Sequence, residues 1–342
     1  MSKIVVIGGS AGAINVVKGI LPMLPQDFPA AILLVTHIGA KRSMLPEILG
    51  RCSAMPVRHA TDGEPILPGR VLVAPPDEHL TVIANGGRAY ARLLHGPKEN
   101  YCRPAIDPLF RSAAATFGAD TIGVLLSGYL DDGTVGLQAV KACGGLAIVQ
   151  DPAEAEASDM PASALKYVDV DHVLDASGIA AALVELASSG VAPGGVRHQD
   201  VGSAVPAWID IENRMTGRES AMEDVEQIGT LSSLTCPECN GALWEIKRNG
   251  PARYRCHTGH AFTARVLESL QGDAVEDAIW GAIRALHEQE RLFTKLCERE
   301  LQSGNTEAAG EYRAKAAQAQ AHSQALRDLI SARAVPVKPG MS

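Results

Sequence analysis

Several features that place a chain in a cellular class are missing from these 342 residues. No apolar run reaches the roughly 20 residues of a membrane-spanning helix, and no charged-then-apolar leader precedes the first apolar segment. No dense basic run occurs, and the formal net charge is −8. These absences argue against membrane insertion and against a nucleic-acid partner. We therefore expect a cytoplasmic protein, in a compartment where cysteines stay reduced.

The composition is that of an ordinary globular protein with ample material for a core. Apolar residues make up 46% of the chain and charged residues 20%, both within the usual range. The length exceeds one ordinary domain, so two or more domains are expected. Residues 1–188 alternate short apolar strands with helical patterns, which predicts an α/β domain with a doubly wound, mostly parallel, Rossmann-like sheet.

The first apolar segment leads into a serine flanked by glycines. Four branched apolar residues, 4–7, predict a buried strand, and a helical pattern follows from Ala13. Between them the chain reads Gly-Gly-Ser-Ala-Gly, with Ser10 at the centre. A strand, turn and helix of this kind lifts a serine hydroxyl above the carboxyl edge of a sheet. Ser10 is therefore a candidate nucleophile, although plain turn chemistry also explains such a motif.

A dinucleotide-binding turn is the main alternative for this segment. That motif needs glycine at the third position and an acidic residue at the end of the second strand. Here those positions hold Ser10 and His37. If the two strands are parallel neighbours, their carboxyl ends bring a base beside a nucleophile. The pattern thus favours a hydrolase over a cofactor-binding fold.

A third loop supplies carboxylates to the same edge of the predicted sheet. The apolar strand at 122–126 runs into a loop that contains Asp131 and Asp132. An imidazole that acts as a base needs a carboxylate to fix its tautomer and stabilise the imidazolium. Paired aspartates are common in loops, but next to Ser10 and His37 they complete a catalytic set.

The last third of the chain holds a metal-ligand pattern. Cys236, Cys239 and Cys256, with His260 as the fourth residue and His257 as its alternative, have spacings that favour a tetrahedral zinc site. Four protein ligands leave no open position, so the zinc would be structural. We expect a linker at 189–230, a zinc-ribbon-like module at 231–262 and an α-helical hairpin at 263–334. The hairpin either covers the ribbon or forms a partner or homo-oligomer surface.

The order of the serine, histidine and acidic loops resembles the catalytic domain of CheB-type chemotaxis receptor methylesterases. The resemblance covers roughly residues 3–188, and it depends on many ordered matches of which none is specific alone. The matching stretches are residues 8–12, Thr36-His37, Ala74-Pro75-Pro76 with His79, residues 103–110, Asp132-Gly133 with Gly136-Leu137, Gln150-Asp151, and Met160-Pro161 with Ala164.

The resemblance implies Ser10, His37 and Asp132 as the catalytic residues, with no cofactor needed for the chemistry. It implies hydrolysis of glutamate γ-methyl esters on a methylated chemoreceptor or a similar helical signalling protein, releasing methanol. The backbone N–H of Ala11, at the helix start, is expected to bind the oxyanion. Arg103, which lies in a matching motif, is expected to help bind the substrate.

Two features depart from the family pattern. The catalytic strand begins at Lys3, so we expect no receiver domain before it. The loop before Asp132 reads Gly-Tyr-Leu-Asp where the family usually has Gly-Met-Gly-Arg, which predicts a bulkier and more acidic rim. Two other functions stay open: deamidation of receptor glutamines by the same acyl-enzyme, and a non-catalytic signalling or scaffold role. For the catalytic fold without its tail, residues 1–189, we expect independent folding and activity on a small ester.

Overall fold

A computed structural model of the chain describes residues 3–39, 41–188, 205–217 and 222–333. The chain divides into two compact units, Met1–Leu267 and Glu268–Ser342. The first unit contains both the α/β fold and the module with the cysteine cluster. The predicted Gly-, Pro- and Ser-rich linker segment at 189–204 lies outside the described residues.

A seven-stranded sheet forms the centre of the first unit, and all of its paired strands are parallel. The strand order is β3-β4-β2-β1-β7-β8-β9, and β5 pairs with β6 in a separate antiparallel hairpin. The predicted doubly wound parallel fold is therefore confirmed. The strands are β1 Ile4–Gly9, β2 Ala31–Thr36, β3 Val57–His59, β4 Val71–Val73, β5 His79–Asn85, β6 Arg88–Leu94, β7 Thr121–Leu125, β8 Leu146–Gln150 and β9 His172–Leu174.

Helices cover both faces of this sheet, because successive residues of a strand point to opposite sides. In β1, Val5 and Ile7 pack in the core with α1, α2 and α6, whereas Ile4 and Val6 pack in the core with α3, α4, α5 and the hairpin. Each strand residue from Ile4 to Gly9 is buried. The helices are α1 Ala13–Ile20, α2 Leu45–Gly50, α3 Ile106–Phe117, α4 Thr134–Ala142, α5 Asp159–Tyr167 and α6 Ala176–Ser188, with single 3₁₀ turns at Leu21–Met23 and Gly118–Asp120.

The strand order reverses direction between β1 and β7, which lie side by side at the centre. In open parallel sheets, ligands bind in the crevice beyond the carboxyl ends of the strands at such a point. The segments that follow β1, β2 and β7 carry Ser10, His37 and Asp132. The topology therefore brings the three candidate catalytic residues to one edge of the sheet.

The second half of the expected linker is helical, which differs from the sequence prediction. Helix α7 spans Ala207–Thr216 and helix α8 spans Met222–Ile228. They fold because an apolar stripe on both helices packs against the module that follows. This third core consists of Ile211, Met215, Val225, Ile228, Trp244 and Ile246.

The cysteine-bearing module is a four-stranded antiparallel sheet, which we call the ribbon. Its strands are β10 Gly229–Thr235, β11 Ala242–Ile246, β12 Arg253–Cys256 and β13 Ala261–Thr263, in that order. At its β13 edge the ribbon contacts the α/β fold directly. Glu99 forms a parallel bridge with Ala261, and the N–H of Asn100 donates to the Ala261 carbonyl at 2.8 Å.

A buried ionic cluster joins the ribbon, helix α7 and the α/β fold. It consists of Glu99, Arg111, Glu212, Arg253 and Arg255, none of which is more than 5% exposed. Arg111 donates to both carboxylate oxygens of Glu99 at 2.9 and 2.7 Å, and Arg253 donates to both oxygens of Glu212 at 2.8 and 2.9 Å. Arg255 lies within 2.9 Å of Glu99 and 3.2 Å of Glu212. Paired charges of this kind can be buried because each finds its partner.

Close backbone packing accompanies this ionic contact. A Cβ atom on Gly96 would lie 2.1 Å from the Thr216 carbonyl oxygen at the end of α7. Such a distance is far below any van der Waals contact, so position 96 requires glycine. The ribbon and α7 are therefore fitted against the α/β fold rather than tethered beside it.

The second unit is helical, as predicted. Helix α9 runs from Ala264 to Gln302 and helix α10 spans Thr306–Arg333. His287 lies 2.8 Å from Ser323, and the rings of Phe293 and Tyr312 stack at 6.3 Å, so the helices pair antiparallel. Within the described residues, no helix is long and apolar enough to cross a membrane.

Candidate active site

Ser10 lies directly beyond the pairing of strand β1 with strand β2. Gly9 of β1 is in register with Thr36 of β2, and the next residues in the two chains are Ser10 and His37. The Ser10 N–H donates to the Ser127 carbonyl at 2.8 Å, which ties the serine to the loop after β7. Gly12 follows with a φ of 78°, a conformation that glycine adopts without strain. The turn therefore breaks the chain sharply between β1 and α1.

His37 contacts a carboxylate from the third loop. Its Nε2 atom lies 2.9 Å from Asp132 Oδ2, with side-chain exposures of 17% and 3%. Asp132 is held in turn by backbone donors, since Ile106 N–H reaches Oδ2 at 2.8 Å and Gly133 N–H reaches Oδ1 at 3.0 Å. A carboxylate accepts and does not donate. Nε2 therefore carries the hydrogen, and Nδ1 is the nitrogen left for proton transfer.

Burial and hydrogen bonding have opposite effects on the two groups. Burial alone would lower the pKa of His37, but hydrogen bonds to Asp132 and Cys102 outweigh it and raise this pKa to about 10. Burial would raise the pKa of Asp132, whereas its hydrogen bond to His37 and its backbone donors lower it below the ordinary aspartate value. Asp132 is thus an anion at neutral pH and favours the imidazolium form of His37.

About half of the chain is similar to proteins of one known family. A family model described as CheB methylesterase matches residues 5–183. The chain belongs to the CheB methylesterase family. A putative protein-glutamate methylesterase/protein-glutamine glutaminase of Leptospira interrogans is 40% identical over 183 residues, which cover 53% of this chain and 93% of that protein.

Two further relatives of the CheB family delimit the match. A protein-glutamate methylesterase/protein-glutamine glutaminase 2 of Xanthomonas oryzae pv. oryzae is 39% identical over 187 residues, which are 54% of this chain and 52% of that protein. The crystal structure of the Thermotoga maritima CheB methylesterase catalytic domain matches with a TM-score of 0.53 at 38% identity, and the match covers 54% of this chain and 99% of that one.

The two adjacent aspartates of the CheB domain have different partners. Asp132 contacts His37, whereas Asp131 Oδ1 accepts a hydrogen bond from Thr263 Oγ1 of the ribbon at 2.6 Å. Burial raises the pKa of Asp131 above its ordinary value, against the lowering effect of that hydrogen bond. The loop after β7 therefore faces His37 with one carboxylate and the ribbon with the other.

A third buried carboxylate, that of Asp107 in the first turn of α3, lies beside Asp132. Its Oδ1 accepts the N–H groups of Gly133 at 3.1 Å and Gly136 at 2.6 Å. Burial, together with the nearby charge of Asp132, raises the pKa of Asp107 to about 8. Asp107 lies in the stretch 103–110, which resembles the family. A single aspartate in a sequence does not indicate which distant loop it contacts, so its contact with the loop after β7 could not be predicted.

The two residues predicted to bind the oxyanion or substrate have structural partners. The Ala11 carbonyl accepts a hydrogen bond from Ser127 Oγ at 2.6 Å, which fixes the turn after Ser10. Arg103 donates from Nε and Nη2 to Asp77 Oδ1 at 2.9 and 2.7 Å, and from Nη1 to the Gly96 carbonyl at 2.6 Å. Its guanidinium therefore braces two loops, and its role toward a substrate stays a prediction.

Two residues of the site have no counterpart in the sequence prediction. Asn100 donates from Nδ2 to Asp132 Oδ1 at 3.0 Å, and Cys102 contacts His37. The signal that could have marked both is their position directly before Arg103, in a stretch that resembles the family.

The four predicted metal ligands come together in the ribbon. One ligand atom from each of Cys236, Cys239, Cys256 and His260 lies within 4.8 Å of every other. Cys239 Sγ lies 3.7 Å from Cys256 Sγ, and His260 Nδ1 lies 3.5 Å from Cys256 Sγ. Zn–S bonds of about 2.3 Å and Zn–N bonds of about 2.0 Å in a tetrahedron give separations of about 3.8 and about 3.5 Å. The donor set therefore fits a tetrahedral zinc ion.

Proposed function

We propose that this protein is a protein-glutamate methylesterase in which Ser10, His37 and Asp132 form the catalytic triad. The observation that carries the proposal is the 2.9 Å contact between His37 Nε2 and Asp132 Oδ2 at the strand end next to Ser10. Family membership supports the activity, and the geometry supports the residues. The proposed roles follow from the general requirements of covalent ester hydrolysis.

In the proposed reaction, His37 first loses its own Nδ1 proton, and Ser10 Oγ then attacks the γ-carbonyl carbon of a methylated glutamate while Nδ1 takes the serine proton. The C–O bond to the methoxy group then breaks, and His37 returns the proton to release methanol. A water molecule, deprotonated by His37, hydrolyses the acyl-enzyme to free the glutamate and restore Ser10. Asp132 keeps the imidazole oriented and stabilises its charged form throughout.

The start of α1 is suited to hold the negative charge that develops in this reaction. The N–H of Ala11 lies in the turn between the nucleophile and the helix, where backbone donors and the helix dipole favour an oxyanion. Arg103 is the residue predicted to help bind the substrate. Since its guanidinium is held by Asp77 and Gly96, we assign it to shaping the loop next to the site rather than to direct contact with the reacting ester.

The proposed substrate is a methylated chemoreceptor, or a similar helical signalling protein. Relatives are named both protein-glutamate methylesterase and protein-glutamine glutaminase, so deamidation of receptor glutamines is the second candidate activity. The two reactions share one acyl-enzyme and differ in the leaving group, methanol or ammonia. A purely scaffolding role finds less support, because the His37 and Asp132 contact is intact.

We further propose that the Cys236, Cys239, Cys256 and His260 cluster binds one structural zinc ion. All four positions of a tetrahedron are then filled by the protein, which leaves no site for water or substrate. A sheet as small as the ribbon gains much of its folding free energy from such a metal. Elemental analysis should find one zinc per chain, and a protein that folds and retains activity without metal would contradict this assignment.

The activity is tested by methanol release from methylated receptor prepared from the same cell. Wild-type protein should release methanol, and Ser10→Ala should abolish release with little change in thermal stability, because Ser10 lies on a partly exposed turn. Ammonia release from the unmodified receptor tests the second activity. More than a tenth of wild-type methanol release by the variant would contradict the role of Ser10.

A further inference from the structure

Asn100 lies between the α/β fold and the ribbon, in a conformation that few residues adopt. Its φ is 52°, in the left-handed region that asparagine and glycine tolerate best, and the residue is 8% exposed. Its backbone N–H is bound to the Ala261 carbonyl of β13 at 2.8 Å. The side chain is thereby directed into the space between the carboxylates of the site and the edge of the ribbon.

Both ends of the Asn100 amide are used, and each faces a different region. Nδ2 donates to Asp132 Oδ1 at 3.0 Å and approaches Asp107 Oδ2 at 3.4 Å. Oδ1 accepts the N–H of Thr263 at 3.1 Å. A backbone N–H can only donate, so Thr263 requires the oxygen on the ribbon side. If the amide turned round, its oxygen would face two carboxylates.

We propose that Asn100 is a positioning residue for Asp132, and that strand β13 of the ribbon holds its amide in the orientation this role requires. The proposal rests on the proposed function of Ser10, His37 and Asp132, and it adds a contribution from outside the family match. The tail of the chain would then be part of the catalytic apparatus rather than a separate module.

The Asn100 amide acts on the charges of two neighbouring buried carboxylates. Asp107 and Asp132 are buried neighbours, and their repulsion contributes to the raised pKa of Asp107. The Asn100 hydrogen bond contributes to the lowered pKa of Asp132. Because this bond stabilises the negative charge of the His37 and Asp132 pair, its loss should increase the proton affinity of the pair as a whole.

The position of Thr263 depends in turn on the folding of the ribbon. β13 pairs with β12 through Arg253 and Thr263, and Arg253 is anchored in the buried ionic cluster. Cys256 and His260 flank the turn between these two strands. The N–H of Thr263 therefore reaches Asn100 only when the ribbon is assembled against the α/β fold.

The test measures kcat, KM and the NMR titration of His37 in the full chain. Asn100→Gly keeps the left-handed backbone and removes the amide, and we expect kcat to fall about a hundredfold, KM to stay unchanged and the His37 titration to move to higher pH. Asn100→Asp should move the titration further, since it adds a like charge. Asn240→Gly is the matched control, because exposed Asn240 has a φ of 59° in the ribbon and its variant should behave as wild type.

A pair of variants at position 263 tests the ribbon's part. Thr263→Pro removes both the N–H and the hydroxyl, whereas Thr263→Val removes the hydroxyl alone. We expect the proline variant to have a kcat about tenfold below that of the valine variant, with the same upward shift of the His37 titration. Thermal unfolding of each protein identifies any variant that fails to fold. If Asn100→Gly fails, the His37 titration of Asn100→Asp tests the role of the amide in its place.

Two results would overturn the proposal. Wild-type kcat and a wild-type His37 titration in Asn100→Gly would show that the amide positions nothing. Identical behaviour of Thr263→Pro and Thr263→Val would show that the ribbon does not hold it. Ser10→Ala, assayed in parallel, separates these results from a failure of the proposed function, since its inactivity establishes the esterase whatever the Asn100 variants do.

Discussion

The centre of the parallel sheet and the contact between the ribbon and the α/β fold are both buried, but they are held by different interactions. In the sheet, β1 pairs with β2 and β7 through residues such as Ile4 and Val5 that are fully buried and apolar. At the ribbon contact, Glu99 and Glu212 share three arginines, and all five side chains are buried. The first region carries Ser10 and His37, the proposed nucleophile and base, and the second would support the proposed catalytic carboxylate, Asp132.

This difference implies different responses to substitution. Apolar packing loses free energy gradually as atoms are removed, whereas a buried charge that loses its partner bears the full cost of its desolvation. The aspartate pair lies on the border, with Asp132 facing the sheet edge and Asp131 facing the ribbon. Substitutions at the sheet edge should therefore affect mainly catalysis, whereas substitutions at the ribbon contact should affect mainly stability.

The largest expected effect distinguishes these two aspartates. Asp132→Asn should lower kcat by about 10⁴-fold, because an asparagine can hold His37 in the wrong tautomer. Asp131→Asn should have little effect on kcat, since its amide oxygen can still accept the Thr263 hydroxyl. Steady-state methanol release by the two variants checks this, and equal losses or the reverse order would show that the catalytic carboxylate is misassigned.

The second effect concerns the buried ionic cluster. Glu212→Gln should lower the free energy of unfolding by about 3–5 kcal/mol, because Arg253 and Arg255 would be left buried beside a neutral amide. Denaturant unfolding of the full chain measures it. The matched control is Asp210→Asn on the same helix, because the ion pair of exposed Asp210 with Arg214 should be worth less than about 1 kcal/mol. An equal loss of unfolding free energy in both variants would refute the contrast between the buried cluster and the exposed ion pair.

The local fold could be predicted from sequence because its signals are local. The apolar run at 31–36 is the strand Ala31–Thr36, and the Asn85-Gly86-Gly87 turn lies between the paired strands β5 and β6. The parallel order then placed Ser10 and His37 at one edge without knowledge of any contact. The strand and the turn are indicated by residues within a few positions of one another, whereas the common edge also needed the assumption that β1 and β2 are parallel neighbours.

The ribbon contact could not be predicted in the same way. Glu99, Arg111, Glu212 and Arg255 are far apart in sequence, and isolated charges have no periodicity that pairs them. Helix α7 does carry an apolar pattern, in Ile209, Ile211 and Met215, although it lies in the segment predicted to be a linker. We expect residues 1–189 to fold and to be active alone, and this stays a prediction. The structure shows what such a truncation would cost, because Arg111 would lose its contact with Glu212.

Acid should weaken the ribbon contact before it weakens the apolar core. Burial would raise the pKa of Glu212, but its arginine partners lower it to about 2, from an ordinary value of 4.5. A depressed carboxyl pKa contributes stability above the unfolded value, and that contribution is lost as pH falls from about 4.5 to about 2. Unfolding of wild type and Glu212→Gln across this range should show their difference in stability narrowing. A constant difference would contradict the lowered pKa.

The smallest expected effect concerns Cys102. Its hydrogen bond helps to raise the pKa of His37, so Cys102→Ala should move the acid limb of the pH profile of kcat/KM modestly to lower pH. Cys143→Ala, at the end of α4, serves as the control. Because Asp132 has the larger influence on His37, the shift should be smaller than that of Asp132→Asn. No shift would mean that the thiol has no part in tuning the base.

The most direct test of the catalytic assignment is to find the atom that carries the acyl group. The full chain is mixed with a small activated ester, quenched in acid, digested and analysed by mass spectrometry. We predict an acyl group on Ser10 in wild type and its loss in Ser10→Ala. An acyl group on Cys102, the other nucleophile in contact with His37, or an unmodified Ser10 during turnover, would contradict the account.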